Sequence, residues 1–293
     1  MSQRVTLSLT LLAMIAFAGN SLLCRLALQQ TAIDPASFTT LRIVSGALTL
    51  WLIVRLRGSN PSAAGSWTSA FALFAYAAAF SYAYVSLPAA TGALLLFGAV
   101  QASMIGHGLW TGERLHLRQS VGLALALGGL VGLLLPGLSA PPLAGAMLML
   151  GAGVAWGVYS LRGTGAGDAT GVTAGNFLRA VPMAVLLGLV ALPWSSLDAA
   201  GFWFAVSSGA LASGVGYAIW YAALRGLKAT SAATVQLSVP VITALGGIVF
   251  LGEAISWRLL ITSAAILGGI ALVVLRPSAT AAARHSSHRG EVR

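Results

Sequence analysis

Residues 87–136 read LPAATGALLLFGAVQASMIGHGLWTGERLHLRQSVGLALALGGLVGLLLP, and residues 227–276 read LKATSAATVQLSVPVITALGGIVFLGEAISWRLLITSAAILGGIALVVLR. Shifted by 140 positions, the first stretch falls on the second without a gap. Gly106 meets Gly246, Gly112-Glu113 meets Gly252-Glu253, Arg118 meets Arg258, and Gly128-Gly129 meets Gly268-Gly269. Leucine, alanine and glycine coincidences are cheap in so apolar a chain. A glutamate coincidence is not, because the whole sequence holds six acidic residues. Nearer the N-terminus the offset becomes 137, so that Arg25 meets Arg162 and Leu41-Arg42 meets Leu178-Arg179. The chain therefore reads as two copies of one unit, residues 1–138 and 142–277, with a basic tail at 278–293 that is expected to be disordered.

The composition says what kind of unit this is. Of 293 residues, 58 % are hydrophobic and 8 % charged, against about 25 % charged in a soluble domain. Mean hydropathy is +0.89. A soluble enzyme, a disordered chain and a secreted disulfide scaffold are excluded, the last also because Cys24 is the one cysteine. A helix needs about 20 apolar residues to cross the hydrocarbon. Ten such segments follow one another: 5–29, 35–56, 67–86, 89–110, 118–136, 142–161, 172–193, 200–224, 229–250 and 257–275. Runs such as Val121–Leu135 are apolar on every face, which excludes a transmembrane barrel of alternating strands. Arg4, an apolar run and Ala16-Phe17-Ala18 imitate a cleavable leader. Removing it would leave nine spans and take away the partner of a later helix, so it is read as the first span.

The expected fold is thus an all-α polytopic membrane protein of ten transmembrane helices, five per copy. Five is odd, so the second copy must enter the bilayer from the opposite side, as an inverted-topology repeat. With both termini on one side, that side holds twelve of the basic residues and the other only Arg25 and Arg258. The bias places both termini in the cytoplasm of a bacterial inner (plasma) membrane. The positive residues are spread over every loop on that side, so they do not form a nucleic-acid module. Inverted repeats put a site near the midplane, between halves that exchange conformations, which is alternating access.

Taken together, the ten short spans in two five-helix halves, Gly19-Asn20-Ser21 in the first helix, Leu41-Arg42 opening the second, and Gly-Glu after the fourth and ninth resemble the drug/metabolite transporter superfamily in its EamA-type branch. Within it the sequence is most similar to the YddG-type aromatic amino-acid exporters. The resemblance covers almost the whole chain. It implies a basket of ten helices and export of amino acids or related small metabolites. The chain departs from the family pattern in one respect: a Trp-Gly pair common in the first helix occurs here only as Trp156-Gly157, in the second half.

Polar residues inside spans are costly and therefore informative. Asn20, Gln101 and Gln236 either contact a substrate or bond between helices. Arg42 and Arg179 lie about seven residues inside their spans. They are expected to snorkel to headgroups or cap a neighbouring helix end, the rival being a substrate carboxylate. Glu113 and Glu253 are expected to cap the following helix or to pair with Arg118 and Arg258. His107 is read as a packed, neutral histidine. Pro240 falls midway along span nine and is a candidate gate hinge, or else a static bend. Gly128-x3-Gly132 permits a close helix contact, within the fold or between protomers.

The aromatic residues divide in two. Trp51, Trp67, Trp110, Trp194, Trp203 and Trp257 lie near span ends, where an interfacial belt accounts for them. Tyr76 and Tyr82 in span three, Trp156 and Tyr159 in span six, and Tyr217 and Trp220 in span eight lie deeper. They are expected to line a hollow suited to an apolar or aromatic side chain. The expected activity is export of amino acids, aromatic and other apolar ones included. Small metabolites, nucleotide sugars or drugs are the alternative cargo. No cofactor, metal or catalytic residue is indicated. The partners are the lipid bilayer and the cargo, for a monomer or weak dimer. None of the six acids lies deep in a span, which favours facilitated diffusion over proton coupling.

Overall fold

The computed structural model describes residues 2–58, 64–112, 114–137, 140–163, 167–227, 232 and 235–274. Glu113 and the tail at 278–293 lie outside them. Among the described residues there is no strand. The described residues form ten main helices: α1 (Gln3–Gln30), α2 (Pro35–Leu56), α3 (Trp67–Tyr84), α4 (Ala89–Trp110), α5 (Leu117–Leu134), α6 (Leu143–Arg162), α7 (Ala169–Ala191), α8 (Ala199–Leu224), α9 (Ser238–Leu251) and α10 (Trp257–Val274). Eight are long and apolar enough to cross a membrane. The other two are α3, whose tyrosines and serines dilute it, and α9, whose described part is 14 residues long.

The helix starts account for much of the scarce polarity. Asp34, Asp168 and Asp198, half of all the acids, cap α2, α7 and α8 by accepting backbone N–H bonds. Ser66 does the same for α3. Asp34 also accepts from Ser196 N, so one carboxylate joins the α1–α2 and α7–α8 connections. Partial burial pushes its pKa up, but the bonds from Ser37, Ser196 and Ala36 outweigh this and hold it below the ordinary 3.8.

The outer surface carries rows of exposed apolar side chains, such as Val185, Leu186, Leu189 and Val190 on α7. A water-soluble protein would hide these; here they suit lipid. Inside, α2 packs on α7 and α8, α5 on α10, α3 and α4 on α6, and α1 on α8 and α9. Lipid removes the hydrophobic force between helices, so small residues and polar bonds must draw them together. On the α4–α6 seam, a Cβ on Gly153 would lie 2.5 Å from Ala99 Cβ and 2.7 Å from the Leu96 carbonyl oxygen. On the α5–α10 seam, the expected Gly128-x3-Gly132 pair is not the contact: Gly128 faces open space and Gly132 only touches Thr262. Gly122 and Gly129 make it instead, with Gly122 against the Gly269 carbonyl. Ser208–Val215 of α8 is a π-helical stretch, and Gly209 within it lies directly on the Arg42 carbonyl of α2.

The ends of three elements are joined by an ion pair that sequence proximity does not suggest. Glu253 does not pair with Arg258. Its Oε1 accepts from Arg25 Nε at 3.2 Å and its Oε2 from Ala89 N at 2.8 Å. Arg25 donates further to the carbonyls of Tyr84 and Val85. Arg258 caps α5 through the Leu135 and Pro136 carbonyls. The reason is the turn at Gly252 (φ +64), which sends Glu253 back over α9 towards α1 and α4.

Two outcomes follow for purified protein in detergent. Gly153→Ala should lower thermal stability by about 1–3 kcal/mol through overpacking, whereas Gly151→Ala, with nothing within 4 Å of the new Cβ, should be neutral or slightly stabilising. Asp34→Ala should cost about 1 kcal/mol at pH 7. Because the folded-state pKa is depressed, the wild-type advantage is full above 3.8 and disappears as the pH falls through the lower folded value. Melting curves across pH check the convergence.

Candidate functional site

A cavity of about 540 Å³ lies in the middle of the bundle, within the usual range for small-molecule sites. Its inner end is formed by Asn20 of α1 and by Tyr76 and Phe80 of α3. From there it runs towards the helix ends that carry Gly163, Ala169, Leu224 and Ala232. At the opposite ends, Arg25, Glu253 and the Tyr84 and Val85 carbonyls are bonded together, and none of them lines the cavity. Among the described residues the hollow therefore reaches one end of the bundle. No charged side chain is among its described lining.

The wall is aromatic. The Trp156 ring stacks on Tyr159 at 5.2 Å and on Tyr217 at 5.5 Å, with interplanar angles of 28° and 17°. Tyr76 packs on the same indole at 4.8 Å. Phe17 of α1 sits 5.7 Å from Tyr217 and 5.9 Å from Trp220. Such a set holds its rings rigid by mutual contact and offers π-faces with hydroxyl tips.

Two polar networks fix it. Ser208 Oγ donates to Asn20 Oδ1 at 2.7 Å, Asn20 Nδ2 to Tyr76 Oη at 3.3 Å, and Arg42 Nη2 to the same Oη at 3.0 Å. This chain joins α8, α1, α3 and α2. Near the open end, Asn176 Nδ2 reaches Tyr159 Oη at 3.5 Å, and Thr173 bridges Tyr159 and Tyr221.

Of the residues singled out in the sequence, Asn20, Tyr76, Gln101, Trp156, Tyr159, Tyr217, Trp220 and Gln236 lie on this one cavity. Tyr82 does not. Six residues beyond Tyr76 is about 240° further round a helix, and its ring is 38 % exposed on the outer face. Pro240 is the third residue of α9, just after a break at Leu237 that separates it from helical residues 235 and 236, and it is buried without lining the cavity. Arg42 does not snorkel: it is 2 % exposed and turned inward, because α7 and α8 cover its helix. Arg179 bonds the Ala64 and Gly175 carbonyls. His107 is exposed, not packed.

Sequence reading missed Phe80 and Asn176. Asn176 carried a signal, being an amide inside span seven. Phe80 carried one too, since the offset of 137 pairs it with Tyr217.

Comparison with known proteins places this architecture. The EamA-like transporter family matches twice, over residues 4–135 and again over 143–275. A Pseudomonas aeruginosa protein, Uncharacterized protein PA1977, is 58 % identical over 288 residues, covering 98 % of this chain and all of that one. A solved crystal structure matches with a TM-score of 0.64 at 22 % identity, over 91 % of this chain and 97 % of that chain, which is a likeness of fold. The chain belongs to the EamA-like transporter family and is a multi-pass membrane transporter of small molecules.

Proposed function

We propose that the protein exports amino acids, aromatic and other apolar ones foremost, across the bacterial inner membrane by alternating access. The observation that carries this is the aromatic cavity, closed half-way through the bundle and, among the described residues, reaching one end. A hollow of that shape belongs to a carrier with two access states rather than to an open pore. The rings suit an apolar or aromatic side chain. The amides of Gln101 and Gln236 make no side-chain bond to another described residue and are available to the polar end of a ligand. Nucleotide sugars and other phosphorylated cargo fit less well, because no cation is among the described lining.

In this reading the two five-helix halves are inserted in opposite directions, and the pairing of α2 with α7 and of α5 with α10 fits a two-fold relation. With both termini cytoplasmic, the open end faces the cytoplasm and the Arg25–Glu253 pair seals the periplasmic end. Pro240, at the start of α9 beside the interruption at Leu237, is the point where that helix can bend. Uncoupled transport fits a cavity with no carboxylate among its described lining.

Purified protein in liposomes should exchange phenylalanine across the membrane without a pH gradient. A strict requirement for an imposed gradient overturns the uncoupled mechanism. Trp156→Ala or Tyr217→Ala should reduce counterflow about tenfold or more, through loss of the stacked wall (1.4 kcal/mol per decade), while Trp51→Ala on the outer surface leaves it within twofold. Equal effects at the three positions would remove the cavity from the transport route.

A further inference from the structure

The cation beside the cavity has no counter-ion among the described residues. Arg42 is 2 % exposed, and among the described residues no carboxylate lies within ion-pair distance of it. Its guanidinium carbon lies 4.9 Å from the Phe80 ring centroid and 5.2 Å from that of Tyr76. Both rings line the cavity, so the charge stands directly behind its wall. Contact with ring faces offsets part of the desolvation, but a buried guanidinium normally finds an anion. Nη1 has no hydrogen-bond partner among the described residues.

The bonds around Tyr76 say where an anion would go. Its Oη accepts from Arg42 Nη2 and from Asn20 Nδ2. A phenol oxygen that accepts twice has only its proton left to offer, and no described residue accepts it. Asn20 turns its amide nitrogen, not its acceptor, towards Tyr76, with Oδ1 accepting from Ser208. The inner end of the cavity thus presents a phenolic donor, strengthened by the cation bonded to its oxygen. No acidic side chain is among the described lining to receive an ammonium group.

We infer that the Tyr76 hydroxyl, backed by Arg42, anchors the carboxylate of the cargo, and that the cavity selects aromatic or apolar carboxylates whether or not they carry an amino group. Arg42 is a positioning residue that acts through Tyr76 and through its charge. The inference rests on the transporter reading above and deepens it: the carboxylate is required and the ammonium is dispensable.

The test is calorimetric binding to the purified full chain in detergent, with four probes that share one ring: hydrocinnamate, phenylalanine, phenylalaninamide and phenethylamine. Hydrocinnamate and phenylalanine should bind within about threefold of one another, and the two probes lacking a carboxylate about tenfold or more weaker. Tyr76→Phe keeps the ring and loses the donor, so its acid-to-amide affinity ratio should fall to within about threefold of unity; it also leaves Arg42 Nη2 and Asn20 Nδ2 without their acceptor, so the melting temperature falls as well, and the ratio, not the absolute affinity, is the readout. Arg42→Gln should lower the same ratio and Arg42→Lys restore part of it. If Arg42→Gln does not fold, Tyr76→Phe carries the test alone. An amide that binds the wild type as tightly as the acid overturns the inference, and so does a ratio unmoved by Tyr76→Phe. In either case phenylalanine counterflow in liposomes still decides the exporter reading. Failure of all four probes to bind, together with absent counterflow, overturns both.

Discussion

Tyr76 is where the bundle is tied. Its hydroxyl takes bonds from α1 and α2, its ring lies on Trp156 of α6, and through Asn20 it is linked to Ser208 of α8. In lipid, burying apolar side chains gives little force between helices, so a polar chain of this kind fixes which helices meet and at what height. Its height is also that of the cavity's inner end. Helix packing and site geometry are thus set by the same three hydrogen bonds, and a change at Tyr76 must be read on both.

The chain can close only because α8 lies unusually tightly on α2. A Cβ at Gly209 would stand 2.1 Å from the Arg42 carbonyl oxygen, and one at Gly46 would stand 2.7 Å from the Phe177 ring and 3.1 Å from the Gly209 carbonyl. Glycine on both helices allows the approach. The π-helical stretch from Ser208 to Val215 coincides with the contact, in keeping with the habit of π-bulges to sit at functional sites. Once α8 and α7 cover α2 at this level, the Arg42 side chain has no route to the headgroups. It turns inward to the ring faces of Phe80 and Tyr76. An arginine that insertion scales penalise by about 2.5–3.5 kcal/mol at mid-helix is held there by the packing around it.

What the sequence made legible was one-dimensional. Apolar run length gave α2 and α4 to the residue, because a span is a count against bilayer thickness. Depth within a span separated Trp156 from the six tryptophans near span ends, all of which are exposed. Facing was less legible. Tyr76 and Tyr82 look alike along the chain, but six residues turn them to opposite sides, and a helical wheel would have caught the difference. Partners across the fold were not legible at all. The nearest basic neighbour of Glu253 in sequence is Arg258, yet the positive φ at Gly252 sends the carboxylate to Arg25 on the first helix. Nor does any local propensity announce a π-helical stretch in SGALASGV, whose cause is the neighbouring helix.

The duplication explains why the scaffold is regular while the cavity is not. Features that make the bundle recur: the Gly-Gly pair, the Gly-Glu turn and the arginine early in spans two and seven. Lining positions have diverged. The offset of 137 pairs Asn20 with Gly157 and Phe80 with Tyr217, while the recurring Arg42 and Arg179 differ in their surroundings. Arg42 stands buried behind the cavity wall, whereas Arg179 bonds the backbone at Ala64 and Gly175. The donor cluster of Asn20, Tyr76 and Arg42 therefore comes from the first copy, and the stacked set of Trp156, Tyr159 and Tyr217 from the second. Packing constrains both copies alike, because a Cβ at a seam glycine is penalised in either. A side chain facing an empty hollow escapes that constraint and is free to specialise. The outcome is a cavity with one polar wall and one aromatic wall, and an amphipathic ligand between two such walls can lie only one way round.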